Sequence, residues 1–428
     1  MSAVEPATAP AARTNTPVLA CDVLVVGAGP AGTAAAIELS RGGSHVVVVD
    51  KAVFPRDKCC GDGLTTLALR ELEHLGLDPS TVADWYDVPS ARLRSPSGRE
   101  VELPLPTDGK YAAVAPRSEL DDALVRLARS LGVDVRDGCA FSGMSPGAGA
   151  IDVGSRDVIE LAIDGVGTVR AGYVIAADGM WSPVRKALGV NQPGYLGEWH
   201  AFRQYVGNVT GPAADQLYVW FEADLLPGYA WSFPLPDHRA NVGFGVLRGG
   251  SRRVGDMKDL WVDLLRRPHI VTALGADFTL EDRHTAWPIP ARVDEVTLSH
   301  GRTLFVGDAA AATDVMTGEG IGQALLTGRL AAEAILAAGM HHPANARAAY
   351  ESAVRRHLFA DHAMSRLLGK VLRSTLGARG AIRVVGASGA WGRRNFARWM
   401  FEDEPRAVAL TPRRWHRRVL ARPGAYRP

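Results

Sequence analysis

Val23-Leu24-Val25-Val26-Gly27-Ala28-Gly29-Pro30-Ala31-Gly32 is the stretch on which the reading of the fold turns. A short continuous apolar run that ends in glycines predicts a strand buried on both faces, as in a parallel sheet. Gly27 to Gly32 then fits Gly-x-Gly-x-x-Gly, and the Ala-rich residues 31–41 read as a helix closed by Gly42-Gly43. Residues 46–49, all valine, form a second buried strand ending at Asp50. Strand, glycine turn, helix and strand in this order make the βαβ unit that binds dinucleotides. The residue types have physical reasons. Gly27 permits the tight turn, Gly29 lets the backbone approach a pyrophosphate, and Gly32 lets helix and strand pack closely. Ala28, Pro30 and Ala31 complete a turn whose helix start presents free N–H groups and partial positive charge. Asp50 suits the ribose hydroxyls, with Lys51 beside it as a further cofactor contact. The other reading of the motif is a plain turn between core elements.

Outward from this unit, Arg117 opens a helical segment over residues 118–131, with Glu119, Asp121 and Asp122 in its first turn, and a strand resumes at 133–135. Residues 174–177 and 303–306 are further buried strands, the second followed by a glycine-interrupted helix to about residue 338. Between them, residues 194–247 alternate and are rich in aromatics split by Gly and Pro, the pattern of an antiparallel sheet. The expected architecture is α/β. A Rossmann-like nucleotide domain is split over 20–85, 112–188 and 286–343, and a mixed or antiparallel β-sheet substrate domain is inserted over 86–111 and 189–285. A basic helical segment follows at 344–428. Residues 1–19 read as a disordered leader, and regular structure is expected from Cys21.

Two later stretches choose the dinucleotide. Val174-Ile175-Ala176-Ala177-Asp178-Gly179 is a strand followed by Asp-Gly, with Ser182 and Arg185 beyond; Thr303-Leu304-Phe305-Val306-Gly307-Asp308-Ala309-Ala310 is a strand followed by Gly-Asp. Each alone reads equally well as a turn. In this order they resemble the Asp-Gly and Gly-Asp motifs of the para-hydroxybenzoate hydroxylase-like flavoproteins. The resemblance implies FAD, with Asp178 among its contacts and Gly307-Asp308 on the ribityl chain. It also implies that the helix start at Gly320-Ile321 aims its amides at the flavin pyrimidine edge, where donors favour the anionic reduced flavin. Arg117 matches the superfamily's pyrophosphate arginine; the alternative is a surface Arg.

A narrower resemblance rests on Phe54-Pro55-Arg56-Asp57-Lys58-Cys59-Cys60-Gly61-Asp62-Gly63-Leu64, on Leu226-Pro227-Gly228-Tyr229-Ala230-Trp231-Ser232-Phe233-Pro234, and on Asn241-Val242-Gly243-Phe244-Gly245. These are similar to the Lys-x-Cys-Gly-Asp, Tyr-x-Trp-x-Phe-Pro and Asn-Val-Gly-x-Gly segments of the geranylgeranyl reductase family, nearest to its menaquinone-chain reductases. The match covers about residues 21 to 340. The resemblance implies hydride transfer from reduced flavin to an isolated C=C of a polyprenyl lipid, a menaquinone side chain or a geranylgeranyl lipid, with a proton to the other carbon. Such an alkene has no polarising carbonyl, so catalysis rests on holding it against the flavin in a dry apolar channel.

Tyr229, Trp231 and Phe233 stand at alternate positions, one face of a strand. They are expected to line the substrate cavity, Tyr229 and Trp231 as catalytic residues; the alternative is an ordinary aromatic sheet core. Cys60 aligns with the family's Cys before Gly61-Asp62, a pair assigned to the cofactor. The resemblance implies that Cys60 sits by the flavin as a catalytic residue, positioning substrate or assisting proton delivery; the alternative is a small packing residue, and Cys59 is read as structural. Val315-Met316 departs from the superfamily's pattern, which often has Pro before Thr-Gly-Glu-Gly. No second Gly-x-Gly-x-x-Gly unit follows, so the reductant is expected to be NAD(P)H docking transiently or an external electron-carrier protein. The competing function on the same fold is a flavin monooxygenase or halogenase acting on an aromatic or polyketide-like metabolite.

The chain has 428 residues, 47% apolar and 22% charged, with a net charge of +2, which argues against a nucleic-acid partner. Four cysteines are too few for a disulfide scaffold, and neither they nor the histidines have a metal-ligand spacing. The cysteine usage suits a reduced cytoplasmic setting, and no apolar run is read as reaching the ~18 residues of a spanning helix, so any membrane contact is expected to be peripheral. From about residue 344 Arg and Lys outnumber Asp and Glu roughly three to one. Leu367-Leu368, Val371-Leu372 and Leu376 recur there at helical spacing among Arg366, Lys370, Arg373 and Arg379. Trp391, Phe396 and Trp399 follow among Arg393, Arg394 and Arg398, and Trp415 among Arg413, Arg414, Arg417 and Arg418. This pattern suits peripheral contact with anionic headgroups on the inner face of the cell membrane, or equally helices that cap the core with a solvated basic face.

Overall fold

The structure is a computed structural model that describes residues 18–144, 158–250, 252–408, 411–412 and 421–427. The expected leader up to residue 17, and the Arg413, Arg414, Trp415, Arg417 and Arg418 cluster, lie outside the described residues.

The strand Leu19–Val26 is the middle of the main sheet. It pairs in parallel with Val46–Val49 on one side and with Gly167–Ala176 on the other, and these are extended in parallel by Asp134–Arg136 and Thr303–Phe305. The outer half of Gly167–Ala176 turns to antiparallel pairing with Ile159–Ile163, itself paired to Phe141–Met144. Val23 to Val26 and Val46 to Val49 are buried throughout, as the unbroken apolar runs require of strands covered on both faces. The first strand begins at Leu19, earlier than expected, because Leu19 and Ala20 keep register with Val169 and Arg170 where the apolar run has not yet started. Backbone pairing outlasts the hydrophobic signal there.

The helix Pro30–Arg41 follows the glycine turn and packs against the helix Ile321–Ala338. The approach is close: a Cβ at Gly328 would stand 2.1 Å from the Ala31 carbonyl oxygen. Ile321–Ala338 corrects one expectation, since by length and composition it is apolar enough to cross a membrane. The single Arg329 and Glu333 do not break its hydrophobic character, but two-thirds of it (67%) is buried, and Arg329 and Glu71 make a paired hydrogen bond at 2.7 and 2.8 Å. It is a core helix of the nucleotide-binding part.

A second sheet runs in the order Thr279–Ile289, Trp199–Gly207, Arg239–Leu247, Ala230–Leu235, Leu217–Trp220, Ser90–Arg94, Glu100–Pro104. It is antiparallel except where Leu217–Trp220 and Ser90–Arg94 run parallel. Its strand Thr279–Ile289 passes through the boundary expected at 285/286. A small sheet of Gly63–Thr65, Ala112–Val114 and Tyr86–Asp87 lies against the strand Ala230–Leu235 of the second sheet and the helix Ile321–Ala338. Helices then occupy most of Pro343 to Met400, and the described residues beyond are turns, with Ala425 bridged to Lys110. Among the described residues, the last of these helices ends at Met400.

Candidate functional site

A cavity of about 1020 Å³ opens where the carboxyl ends of the parallel strands face the second sheet. That is the side on which open α/β sheets take ligands, and its volume is at the upper end of the ~300–1,000 Å³ usual for small-molecule sites. Gly27, Gly29, Asp50, Arg117, Asp178, Gly307, Asp308, Gly320, Cys60, Tyr229, Trp231 and Phe233 all line it, although they come from distant parts of the chain.

At the glycine turn, Gly27 has φ +107°, and a Cβ there would stand 2.3 Å from the Ala177 carbonyl oxygen. Asp50 holds the turn from the end of its strand, accepting from the Ala28 N–H at 2.8 Å and the Ala52 N–H at 2.8 Å. Lys51 is exposed at the rim. Arg117 is not a surface residue. It is 5% exposed and grips Asp121 through Nε and Nη2 at 2.8 and 2.7 Å. Asp121 also pairs with Arg56 at 2.7 Å, so two guanidinium groups share one buried carboxylate. Both reach the turn, since a Cβ on Gly29 would lie 3.6 Å from an Arg56 nitrogen and 4.0 Å from one of Arg117. The cluster carries an uncompensated positive charge beside free backbone N–H groups.

The Asp-Gly and Gly-Asp stretches meet through Arg185, which donates to the Ala309 carbonyl at 3.0 Å and lies over the Phe305 ring at 4.3 Å. Asp178 accepts from the Val184 N–H at 2.9 Å, while its other oxygen is buried without a partner. Burial pushes its carboxyl up to about 6. Asp308 pairs with Lys58 at 2.8 Å, and although burial opposes ionisation, Lys58 holds the carboxyl below its ordinary value. Gly307, at φ +58°, packs against Ala31 and donates to Thr327 Oγ1 at 2.9 Å.

The opposite end is apolar. Tyr229, Trp231 and Phe233 stand in a ladder with ring centroids 6.0 Å apart at each step. Trp231 and Phe233 are each 6% exposed and belong to the sheet's apolar cluster while also lining the cavity. Trp231 Nε1 donates to Asn241 Oδ1 at 3.1 Å, and the Tyr229 hydroxyl donates to the Thr317 carbonyl. The loop carrying Cys60 presses on this wall: a Cβ on Gly61 would stand 3.2 Å from Phe233 and 3.5 Å from Trp231. Asp62, at φ +63°, is fully buried and accepts from Tyr205 at 2.6 Å and Asn241 at 2.7 Å, which ties the loop to the second sheet. Burial pushes Asp62 up to about 6 and the Cys60 thiol up to about 11, so Cys60 is a neutral thiol at pH 7.

Sequence reasoning missed Arg56 and Lys58, and it missed the wall supplied by His284, Thr285, Trp287, Pro288 and Ile289. Lys58 and Arg56 lie inside the quoted family segment, and a cation close after a dinucleotide-binding strand was the available signal.

These residues fit FAD. The cavity joins a cationic glycine cradle, sized for a pyrophosphate because Gly29 offers no side chain, to an apolar aromatic slot. Asp178 and Asp62, which both line the cavity, each keep one buried oxygen without a partner among the described residues.

A model of the FAD binding domain family matches residues 20–338. The chain is similar to the menaquinone reductase of Mycolicibacterium smegmatis, 33% identical over 381 residues, covering 82% of this chain and 84% of that protein. It is also similar to digeranylgeranylglycerophospholipid reductase 2 of Methanopyrus kandleri, 32% identical, covering 73% of this chain and 76% of that one. Among solved structures, a geranylgeranyl bacteriochlorophyll reductase-like protein of Thermoplasma acidophilum superposes with a TM-score of 0.76 at 23% identity, over 93% of this chain and 100% of that one. That likeness speaks to the fold.

Proposed function

The chain belongs to the FAD binding domain family, in its geranylgeranyl reductase branch, and from that premise we propose that it saturates isolated C=C bonds of a polyprenyl chain, a menaquinone side chain or a geranylgeranyl lipid. The observation that carries the reading is the single cavity with a cationic glycine turn at one end and the Tyr229–Trp231–Phe233 ladder at the other.

In this reading Gly27 to Gly32, Arg56 and Arg117 hold the pyrophosphate, Asp50 and Lys51 the adenosine side, Lys58 and Asp308 the ribityl chain, and Gly320-Ile321 the pyrimidine edge. Bound and reduced FAD supplies a hydride. The chain's own part is to orient the alkene against the aromatic ladder and keep water out, because an unpolarised C=C offers no charge to stabilise and position is the main lever. Tyr229 and Trp231 act as that wall, and Asp62 is a positioning residue that holds the Cys60–Gly63 loop. The reductant is a nicotinamide or an electron-carrier protein.

The test is anaerobic. The bound flavin is reduced, candidate polyprenyl lipids are added, and products are read by mass. Flavin reoxidation coupled to a gain of two hydrogens supports the reductase. Reoxidation by O₂ alone, with an oxygenated product, replaces it by a monooxygenase. A second expected outcome concerns the newly found cation. Arg56→Ala weakens FAD binding by about 10- to 100-fold, the equivalent of losing a charge-assisted hydrogen bond of ~1.5–3 kcal/mol, while Arg117 keeps Asp121 paired. Titration of apoprotein with FAD by flavin fluorescence checks this, and unchanged affinity removes Arg56 from the cradle.

The same reading gives the C-terminal helices a task. Residues 362–401 hold eight Arg or Lys and no Asp or Glu. Leu367, Val371, Leu376, Val384 and Trp391 are exposed, Leu376 at 79% and Trp391 at 73%. An apolar and cationic surface of this kind suits adsorption to an anionic lipid surface, the phase that holds a polyprenyl substrate.

A further inference from the structure

Saturating an alkene consumes a hydride and a proton, and the proton has no assigned source among the residues read from sequence apart from Cys60. We infer that Glu319, set in the loop before the helix Ile321–Ala338, is the acid that protonates the substrate carbon. The inference rests on the reductase reading above.

Glu319 lines the cavity, and its open side faces that cavity. Its Oε1 is 3.6 Å from the point where a Cβ on Gly63 would stand, and the Phe233 ring is 3.0 Å from the same point. The carboxyl and the aromatic wall therefore flank one glycine of the Cys60–Gly63 loop. The loop bearing Glu319 is fixed. Asp314 Oδ1 accepts from the N–H groups of Met316 and Thr317 at 3.0 and 2.8 Å and from the Thr317 hydroxyl at 2.9 Å. The Asp314 N–H donates to the Glu319 carbonyl at 2.8 Å, and Tyr229 holds the Thr317 carbonyl from the wall side.

Asp308 is ion-paired to Lys58. Asp62 is held through one oxygen by Tyr205 and Asn241 and leaves its other oxygen without a partner among the described residues, but burial pushes it up only to about 6, which leaves it mostly ionised at pH 7. The Tyr229 hydroxyl already donates its proton to Thr317, and its burial raises it further. The Cys60 thiol, at about 11, is a weak acid. His284, which also lines the cavity, is stacked on Phe202 at 4.5 Å. Glu319 is the carboxyl pushed furthest toward its acid form: burial first, then repulsion from Glu402 and more weakly from Asp314, raise it to about 8 against the opposing pull of the buried Arg406 guanidinium, which also lies 3.6 Å from Glu402. Glu402, itself raised to about 7 by burial, accepts from Thr65 and Gln323 at 2.9 Å each, which makes it a fixed second carboxyl behind the first. General acids work best when their pKa lies near the working pH.

The step balances as follows. The π bond of the alkene is spent; one carbon gains a hydride, two electrons and one hydrogen, from the reduced flavin, and the other gains the proton of Glu319. The flavin ends oxidised and is re-reduced by the external nicotinamide or carrier protein. The Glu319 carboxylate takes its proton back from water.

The experiment uses the FAD-loaded full chain. Glu319→Gln should bind FAD and accept electrons anaerobically like the parent, yet reoxidise with polyprenyl lipid about 10²–10⁴-fold more slowly, the usual worth of a general acid. Glu319→Asp should recover part of the rate. In the parent, turnover should fall as pH rises through about 8, because the active form is the protonated one, and the limb should vanish in Glu319→Gln. An independent readout is the ¹³C-carboxyl NMR titration of the FAD-loaded protein without substrate, in which the resonance missing from Glu319→Gln should be that of a protonated carboxyl at pH 7. Turnover of Glu319→Gln at the parental rate, or a Glu319 resonance already ionised at pH 7, overturns the inference. A parent that turns over no polyprenyl lipid overturns the reductase reading instead, and the NMR titration still decides whether Glu319 is an acid at neutral pH.

Discussion

Gly32→Val will give a protein that cannot retain flavin. A Cβ at residue 32 would lie 1.8 Å from the Gly27 carbonyl oxygen and 3.0 Å from the carbonyl carbon, with the Ala177 Cβ 3.1 Å away. The first two obstacles are backbone, so no rotamer relieves them. Overpacking of this kind costs about 1–3 kcal/mol even where neighbours can shift. Here the neighbour that must shift is the turn whose N–H groups face the ligand. Losing two or more charge-assisted hydrogen bonds, at ~1.5–3 kcal/mol each, lowers affinity by at least about 10²-fold. Gly43→Asn is the control: φ is +82°, which Asn tolerates, and nothing lies within 4 Å of its Cβ position. Absorbance of the purified proteins reads flavin occupancy, and circular dichroism separates loss of ligand from loss of fold. A fully yellow Gly32→Val would mean that the turn does not carry the pyrophosphate.

This prediction was legible in the sequence because it is local. Gly27 to Gly32, Asp50 and the valine strands lie within one short segment, where period and spacing carry the information. The aromatic ladder was legible for the same reason, since alternate positions on a strand share a face. Pairings between distant segments were not legible. Lys58 and Asp308 are 250 residues apart, and nothing in either neighbourhood announces the other. The strand Thr279–Ile289 was missed because Glu281, Asp282 and Arg283 interrupt its alternation; it is an edge strand, exposed along much of its length, and so lacks the burial that produces a pattern. Asp62 illustrates a different limit. Its motif put it near the cofactor, and it does line the cavity, but one of its two carboxylate oxygens is taken by Tyr205 and Asn241 of the second sheet. Motifs locate a residue more surely than they orient it. Glu319 stood in plain view between two glycines, and only its place beside Gly63, which Phe233 also flanks, and the proximity of Glu402 single it out.

Replacing Lys370, Arg373, Arg379 and Arg383 together by Gln is expected to weaken binding to vesicles containing anionic phospholipid by about 10³-fold at low salt. Each cation near such a surface is worth ~1 kcal/mol, and about 1.4 kcal/mol is tenfold. The placement supports the estimate. On the helix Thr375–Ala387, Ala378, Ile382 and Val385 are buried, and the opposite side of the wheel carries exposed Leu376, Arg379, Arg383 and Val384. All four cations are exposed, and none makes an ion pair among the described residues. By contrast, Arg366 is spent on Asp294 and Glu295, and Arg398 on Asp403. The surface is also keyed to the site, because Ile382, Val385 and Phe401 share an apolar cluster with Trp231 and Phe233. The quadruple variant should reduce detergent-dispersed substrate at the parental rate and lose activity only toward vesicle-borne substrate. Raising salt on the parent should imitate it, since exposed charges are screened. Leu376→Ser with Trp391→Ser should weaken adsorption with little change in its salt dependence, which separates the apolar contribution from the ionic one. Parent protein that fails to sediment with anionic vesicles at low salt would leave these helices as a solvated cap on the sheet.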